Sequence, residues 1–196
     1  MTNPDDPNLK DADDYKKVVG LMSQHLITLV CYYDTIESDG RIKCSNSMVF
    51  SGRLLELREQ LFWVTAGHCL KNINEPIKAG HIRATSSAFM DYLGYRAGFK
   101  HAVPFTYGLN SGLYIWDPKI GMDFALIPLN ELYREMFAKN NNVPVTRNNW
   151  IDQHRLSFDF YRMLGVPEDR VFETARPDGS TDIAVQPTMT QSASFS

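Results

Sequence analysis

The chain has 196 residues, of which 43% are hydrophobic, 12% aromatic and 22% charged, a composition that excludes collagen, coiled coil and wholesale disorder. Area scaling for a chain of this size gives roughly 9,400 Å² exposed when folded against about 32,000 Å² unfolded, so a core forms without disulfides or metal. The 20 basic and 23 acidic side chains are interspersed and leave a formal charge of -3, which provides no positive field for phosphate backbones and sets nucleic acid aside.

Residues 1–14 carry Asp5, Asp6, Asp11, Asp13 and Asp14 where a secretory signal needs basic residues and then an apolar stretch, so they read as a solvated acidic tail. Tyr15 to His25 has loosely helical spacing at Val18, Val19, Leu21 and Met22 and predicts a short lead-in helix. Leu26 to Tyr33 is β-branched and aromatic and precedes the turn-prone Glu37-Ser38-Asp39-Gly40, which predicts a strand and a turn. It is the longest apolar stretch and falls far short of the roughly 20 residues that cross a bilayer, so no membrane association is expected. Asn46 to Glu56 and Leu61 to Thr65 read as two more strands around the polar Leu57-Arg58-Glu59-Gln60, completing an antiparallel meander.

Ala84 to Trp116, rich in Gly, Tyr, Phe and Ser, predicts short strands joined by loops, with Tyr107, Tyr114 and Trp116 as core or loop-packing aromatics. Phe124 to Leu129 is a near-continuous apolar strand. Asn130 caps a predicted connector helix over Glu131 to Lys139, which Asn140-Asn141-Asn142 ends. Ser157 to Val166 and Thr181 to Gln186 predict two further strands, with Asp178-Gly179 turning the chain between Val171-Glu173 and Thr181, and the Ser- and Thr-rich Met189 to Ser196 is expected to fray. The sum is an all-β sandwich or barrel with minor helix.

Three cysteines, Cys31, Cys44 and Cys69, with no CxxC pair suit free thiols, a reducing compartment and hence a cytoplasmic location. His25, His81, His101 and His154 are dispersed without ligand spacing, and no phosphate-cradling loop is present, so neither metal nor cofactor is expected.

Two segments bear chemistry. In Leu61-Phe62-Trp63-Val64-Thr65-Ala66-Gly67-His68-Cys69-Leu70 an apolar strand ends in small residues and delivers His68 where the chain turns, the rigid placement that a general base requires. In Gly121-Met122-Asp123-Phe124-Ala125-Leu126-Ile127-Pro128-Leu129 a carboxylate immediately precedes an apolar strand. Asp123 is either a turn residue or the partner of an imidazole, fixing the tautomer that leaves Nε2 free to accept a proton.

Together the segments resemble the first barrel of the trypsin-like (chymotrypsin-fold, PA clan) serine peptidases, which carry a T-A-x-H-C stretch and a later D-x-A-L-[IL]-x-L stretch. Here these are Thr65-Ala66-Gly67-His68-Cys69 and Asp123-Phe124-Ala125-Leu126-Ile127-Pro128-Leu129, 55 positions apart from His68 to Asp123. Ser51-Gly52-Arg53-Leu54-Leu55 is similar to the strand before the histidine strand, and Phe160-Tyr161-Arg162-Met163-Leu164-Gly165-Val166-Pro167 to a second-barrel strand ending in a Gly-x-Pro turn. The resemblance spans Leu26 to Val166. It implies an antiparallel trypsin-like β-barrel over residues 15–140, complete with its connector helix, and a partial second barrel over 141–196. It makes His68 the general base and later acid, Asp123 its orienter, and a polypeptide the substrate or protein partner.

The family's third residue is a serine in a Gly-x-Ser-Gly context. Ser157, Ser180, Ser192, Ser194 and Ser196 are none of them followed by Gly, and Asp178-Gly179-Ser180-Thr181 reads as a hairpin turn. The cysteines all precede Asp123, so none stands where a Cys nucleophile of this fold would, and the expected disulfide partner of Cys69 near Gly52 or Arg53 is missing. The Ile-Val-Gly-Gly start that activates secreted relatives is absent too. Losing the serine of a comparable triad costs about 2 × 10⁶ in kcat, so the polypeptide as it stands is expected to be inert. Three expectations follow: an amino-terminal portion of a serine endopeptidase, a pseudopeptidase retained as a binding or scaffold module, or an unrelated β-barrel in which His68 and Asp123 lie apart.

Overall fold

The computed structural model describes residues 20, 22–91, 102–149, 160–165, 171–175, 181–185 and 188–193. The acidic tail, most of the lead-in helix and the Asp178-Gly179 turn lie outside the described residues; of the lead-in segment, residues 20, 22 and 23 are helical. The protein is predominantly antiparallel β-sheet with two short helices.

The meander forms as expected. β1 (Leu26–Ile36) pairs with β2 (Ile42–Leu57), and β2 with β3 (Gln60–Thr65), all antiparallel. Gly40, at φ 83°, supplies the left-handed residue of the first turn. The second turn has no glycine: Arg58 and Glu59 both adopt positive φ, 50° and 66°, the hand that matches strand twist in a two-residue hairpin. Arg134 steadies that turn by donating to the Glu59 carbonyl at 2.7 Å and by pairing with Glu56.

After β3 comes a helix the sequence reading did not anticipate, α1 (Gly67–Lys78). β4 (Ile82–Asp91) then returns to pair with β1, and the three-residue β5 (Val103–Phe105) pairs with β4. β6 (Leu113–Asp117) and β7 (Met122–Leu129) form a hairpin, and β7 docks against β3. α2 (Glu131–Lys139) follows as expected, with the Asn130 side chain accepting from the Tyr133 amide at 3.4 Å.

The seven strands run β5-β4-β1-β2-β3-β7-β6 across one sheet. Its edge strands β5 and β6 are not hydrogen-bonded to each other, so the sheet is not closed. α1 packs against β4 on one side and against β6 and β7 on the other, bridging the two ends. Tyr107 Oη donates to Asn74 Oδ1 at 2.8 Å and Tyr114 Oη to Glu75 Oε1 at 3.2 Å, tying α1 to both margins.

The core lies between the sheet and the helices. Alternation along β3 turns Leu61, Trp63 and Thr65 inward, and along β7 it turns Ala125, Ile127 and Leu129 the same way. Trp63 is fully buried, its ring 5.6 Å from Phe89, with Nε1 donating to the Ile27 carbonyl at 2.9 Å. Phe89 meets Phe105 and Phe137 at 4.7 and 5.7 Å. A Cβ on Gly52 would run into the Trp63 indole, so that strand position is closed to larger residues. The other face of the β6–β7 hairpin is apolar yet open: Leu113 is 73% exposed, and Ile115, Met122 and Phe124 are about half exposed.

In the carboxy-terminal part β8 (Phe160–Gly165) pairs with β11 (Thr188–Ala193), and β9 (Val171–Ala175) with β10 (Thr181–Val185), as two separate two-stranded sheets. The expectation that Met189 onward frays is corrected: up to Ala193 the backbone is held in register against β8, Met189 opposite Leu164 and Ser192 opposite Tyr161. The β-branched Thr188 and Thr190 suit a β ladder once a partner strand is available.

Candidate active site

The register of the sheet dictates where Asp123 falls. β3 ends at Thr65 opposite Ala125, so the next inward-facing position of β7 has no β3 residue beside it. That position is Asp123, and it meets the first turn of α1 instead. The helix needs it. Ala66 offers no side-chain cap, no acidic residue stands in the first turn, and the leading amides have no partner within the helix.

Asp123 supplies both the cap and the imidazole contact. Its Oδ1 accepts from the His68 amide at 2.8 Å, its Oδ2 accepts from His68 Nδ1 at 2.6 Å, and the Gly67 amide adds a further hydrogen bond. Gly67 is required here because a Cβ would collide with the Ile115 carbonyl and approach the Phe124 amide to 3.0 Å. Partial desolvation pushes the Asp123 carboxyl upward, but the hydrogen bonds from His68 and Gly67 together with the nearby imidazole outweigh it and hold the group below the ordinary carboxylate range. An ionised carboxylate accepting from Nδ1 fixes the proton there and leaves Nε2 as the basic nitrogen.

The pair sits at the rim. The side chains of His68 and Asp123 are 50% and 39% exposed, and among the described residues no hydroxyl is hydrogen-bonded to the His68 ring. Cys69, the nearest thiol in sequence, is partly buried. Burial pushes its thiol up and the Asp123 charge adds to the rise, opposed only in part by Thr65, so it is no ready nucleophile. Cys31 is deeply buried and pushed up to about 12, and Cys44 lies exposed on β2; all three are free.

Both sequence-derived site residues are thus brought together. Missed were Gly67, Lys71 and Trp116. Trp116 pairs directly with Asp123 across the β6–β7 hairpin and is 41% exposed, which corrects its reading as a packing aromatic; Tyr107 is buried and Tyr114 packs against the core. Lys71, one turn beyond His68 on α1, holds Nζ 3.5 Å from the centroid of the Trp116 ring. The i, i+3 spacing from His68 to Lys71 was the available signal, and it required knowing that α1 is a helix.

Among the described residues no cluster of His, Cys, Asp and Glu is arranged to hold a metal ion, and no helix is long and apolar enough to cross a membrane. No protein-family model matches the chain, and comparison with curated proteins and with solved structures yields no significant match.

Proposed function

We propose that this chain carries the histidine and aspartate of a trypsin-like serine endopeptidase site, within a β-sheet that corresponds to the first barrel of that fold. The observation that carries the reading is the 2.6 Å hydrogen bond from His68 Nδ1 to Asp123 Oδ2, joining residues 55 positions apart that lie in the two matching motifs. In this reading His68 Nε2 takes the proton of an attacking hydroxyl as the oxygen adds to the scissile carbonyl, then delivers it to the leaving amine. Asp123 keeps the imidazole in the required tautomer and stabilises the imidazolium that forms.

No serine of the chain stands in a Gly-x-Ser-Gly context, so the attacking hydroxyl is supplied by polypeptide other than residues 1–196. The same observation favours a second reading, a pseudopeptidase that keeps the sheet as a binding module and uses Asp123 only to cap α1. Fluorophosphonate labelling separates the two. For the endopeptidase, the 196-residue chain stays unlabelled, while the product of its full reading frame or a reconstituted complex is labelled, and His68→Ala abolishes the label. Labelling absent from every form overturns the endopeptidase in favour of the binding module.

A further inference from the structure

We propose that Lys71 and Trp116 form a binding subsite for an acidic side chain, so that the polypeptide received at His68 carries Glu or Asp within one or two residues of the bond held there. The proposal rests on the reading of His68 as the reacting base and adds the substrate class.

The geometry is that of an ammonium kept available. Lys71 Nζ lies 3.5 Å from the centroid of the Trp116 ring, and Trp116 is paired with Asp123, so cation, aromatic face and imidazole share one rim of the fold. Lys71 follows His68 by three positions on α1, which places their Cβ atoms about 5–6 Å apart on one face of the helix. An extended peptide advances about 3.3 Å per residue, so a side chain one or two positions from the bond at His68 reaches Lys71.

The carboxylates of Glu75, Asp123 and Asp117 have other partners, Asp117 accepting from the Lys119 amide at 2.9 Å. Glu75, at i+4 from Lys71, accepts from Lys78 Nζ at 3.4 Å and from Tyr114 Oη at 3.2 Å. Asp123 is taken by the amides of Gly67 and His68 and by the imidazole. Among the described residues no carboxylate forms an ion pair with Lys71. An ammonium has three donors, and a ring face occupies only one side of it. A Glu side chain satisfies both partners at once, its carboxylate on Nζ and its methylenes on the exposed indole. In a chain of net charge -3, Lys71 sets an ammonium on the same rim as the proposed reacting atom.

The test titrates the ¹⁵N-labelled 196-residue chain with a blocked Ala-Ala-Glu-Ala-Ala peptide and with its Gln counterpart at low ionic strength. The Glu peptide is expected to bind about fivefold more tightly, the upper end for one solvent-accessible charge pair, and to move the resonances of Lys71, the Trp116 indole and His68. The preference is expected to disappear in Lys71→Gln, persist in Lys71→Arg and collapse in about 1 M salt, where the Debye length is about 3 Å. Equal binding of the two peptides, a preference that survives Lys71→Gln, or no binding of either overturns the subsite. The comparison of peptides on the unaltered chain does not depend on any variant folding. A Glu preference in a chain whose His68 tautomer ignores Asp123→Asn leaves the subsite standing and removes the base; the converse removes the subsite alone.

Discussion

The interior around Trp63 and the rim around His68 are fed by the same strand, β3, and are held by different forces. Trp63 is fixed by packing: it is fully buried, set at a tilt against Phe89, closed in by Gly52 and hydrogen-bonded to Ile27. His68 is half in water and is fixed by polar contacts to one residue, Asp123, which also caps the helix that bears it. Apolar burial sets where the strands lie; a single carboxylate then sets the orientation of the imidazole. Stability and site geometry should therefore respond to different substitutions.

The largest expected effect is on the interior. Trp63→Ala removes a fully buried ring and is expected to cost about 3–5 kcal/mol, read as a lower urea midpoint. A loss under about 1 kcal/mol would mean that the sheet is not organised around this residue. Gly67→Ala tests the junction of the two regions. The added methyl meets the Ile115 carbonyl, so a cost of about 1–3 kcal/mol is expected together with loss of the amide protection that Asp123 gives His68, measured by hydrogen exchange.

The smallest change in stability is at the rim. Asp123→Ala removes a helix cap and is expected to cost about 1 kcal/mol at neutral pH. The pH dependence gives the sign. Because the folded Asp123 carboxyl titrates below its ordinary value of about 3.9, its contribution is full above that value and is lost as pH falls through the lower, folded one. Asp34, lowered by its hydrogen bond from Ser45 and by Arg83, behaves alike and remains in the variant as an internal control. The stability gap between the parent and Asp123→Ala should therefore narrow on acidification below about pH 4, as followed by urea titrations at several pH values.

What the sequence made legible follows the same division. The β-branched and aromatic run of β1, buried on both faces over Leu26–Cys31, and the near-continuous apolar run of β7 marked those strands, and the Asn130 cap marked α2 because that signal is local. α1 was missed because Gly67, Pro76 and β-branched Ile73 and Ile77 lower its propensity, and because its cap comes from Asp123, far away in sequence. Its spacing of Leu70, Ile73 and Ile77 was the available signal, with Leu70 and Ile73 fully buried. The Arg58-Glu59 turn lacks the usual Asn or Gly, its geometry being supported by Arg134 from α2. The meeting of His68 with Asp123 was legible only through paired motifs, since neither residue alone distinguishes a base from a turn. Trp116 was grouped with the core or loop-packing aromatics because exposure at a sheet edge is a tertiary property with no local signature.

The central claim is that Asp123 holds the His68 proton on Nδ1, and ¹⁵N NMR of the imidazole tests it most directly. In the neutral ring, the account predicts a protonated Nδ1 with a strongly deshielded proton and a bare Nε2, a pattern that Asp123→Asn abolishes. A ring protonated on Nε2, or an Nδ1 signal indifferent to Asp123→Asn, would contradict it.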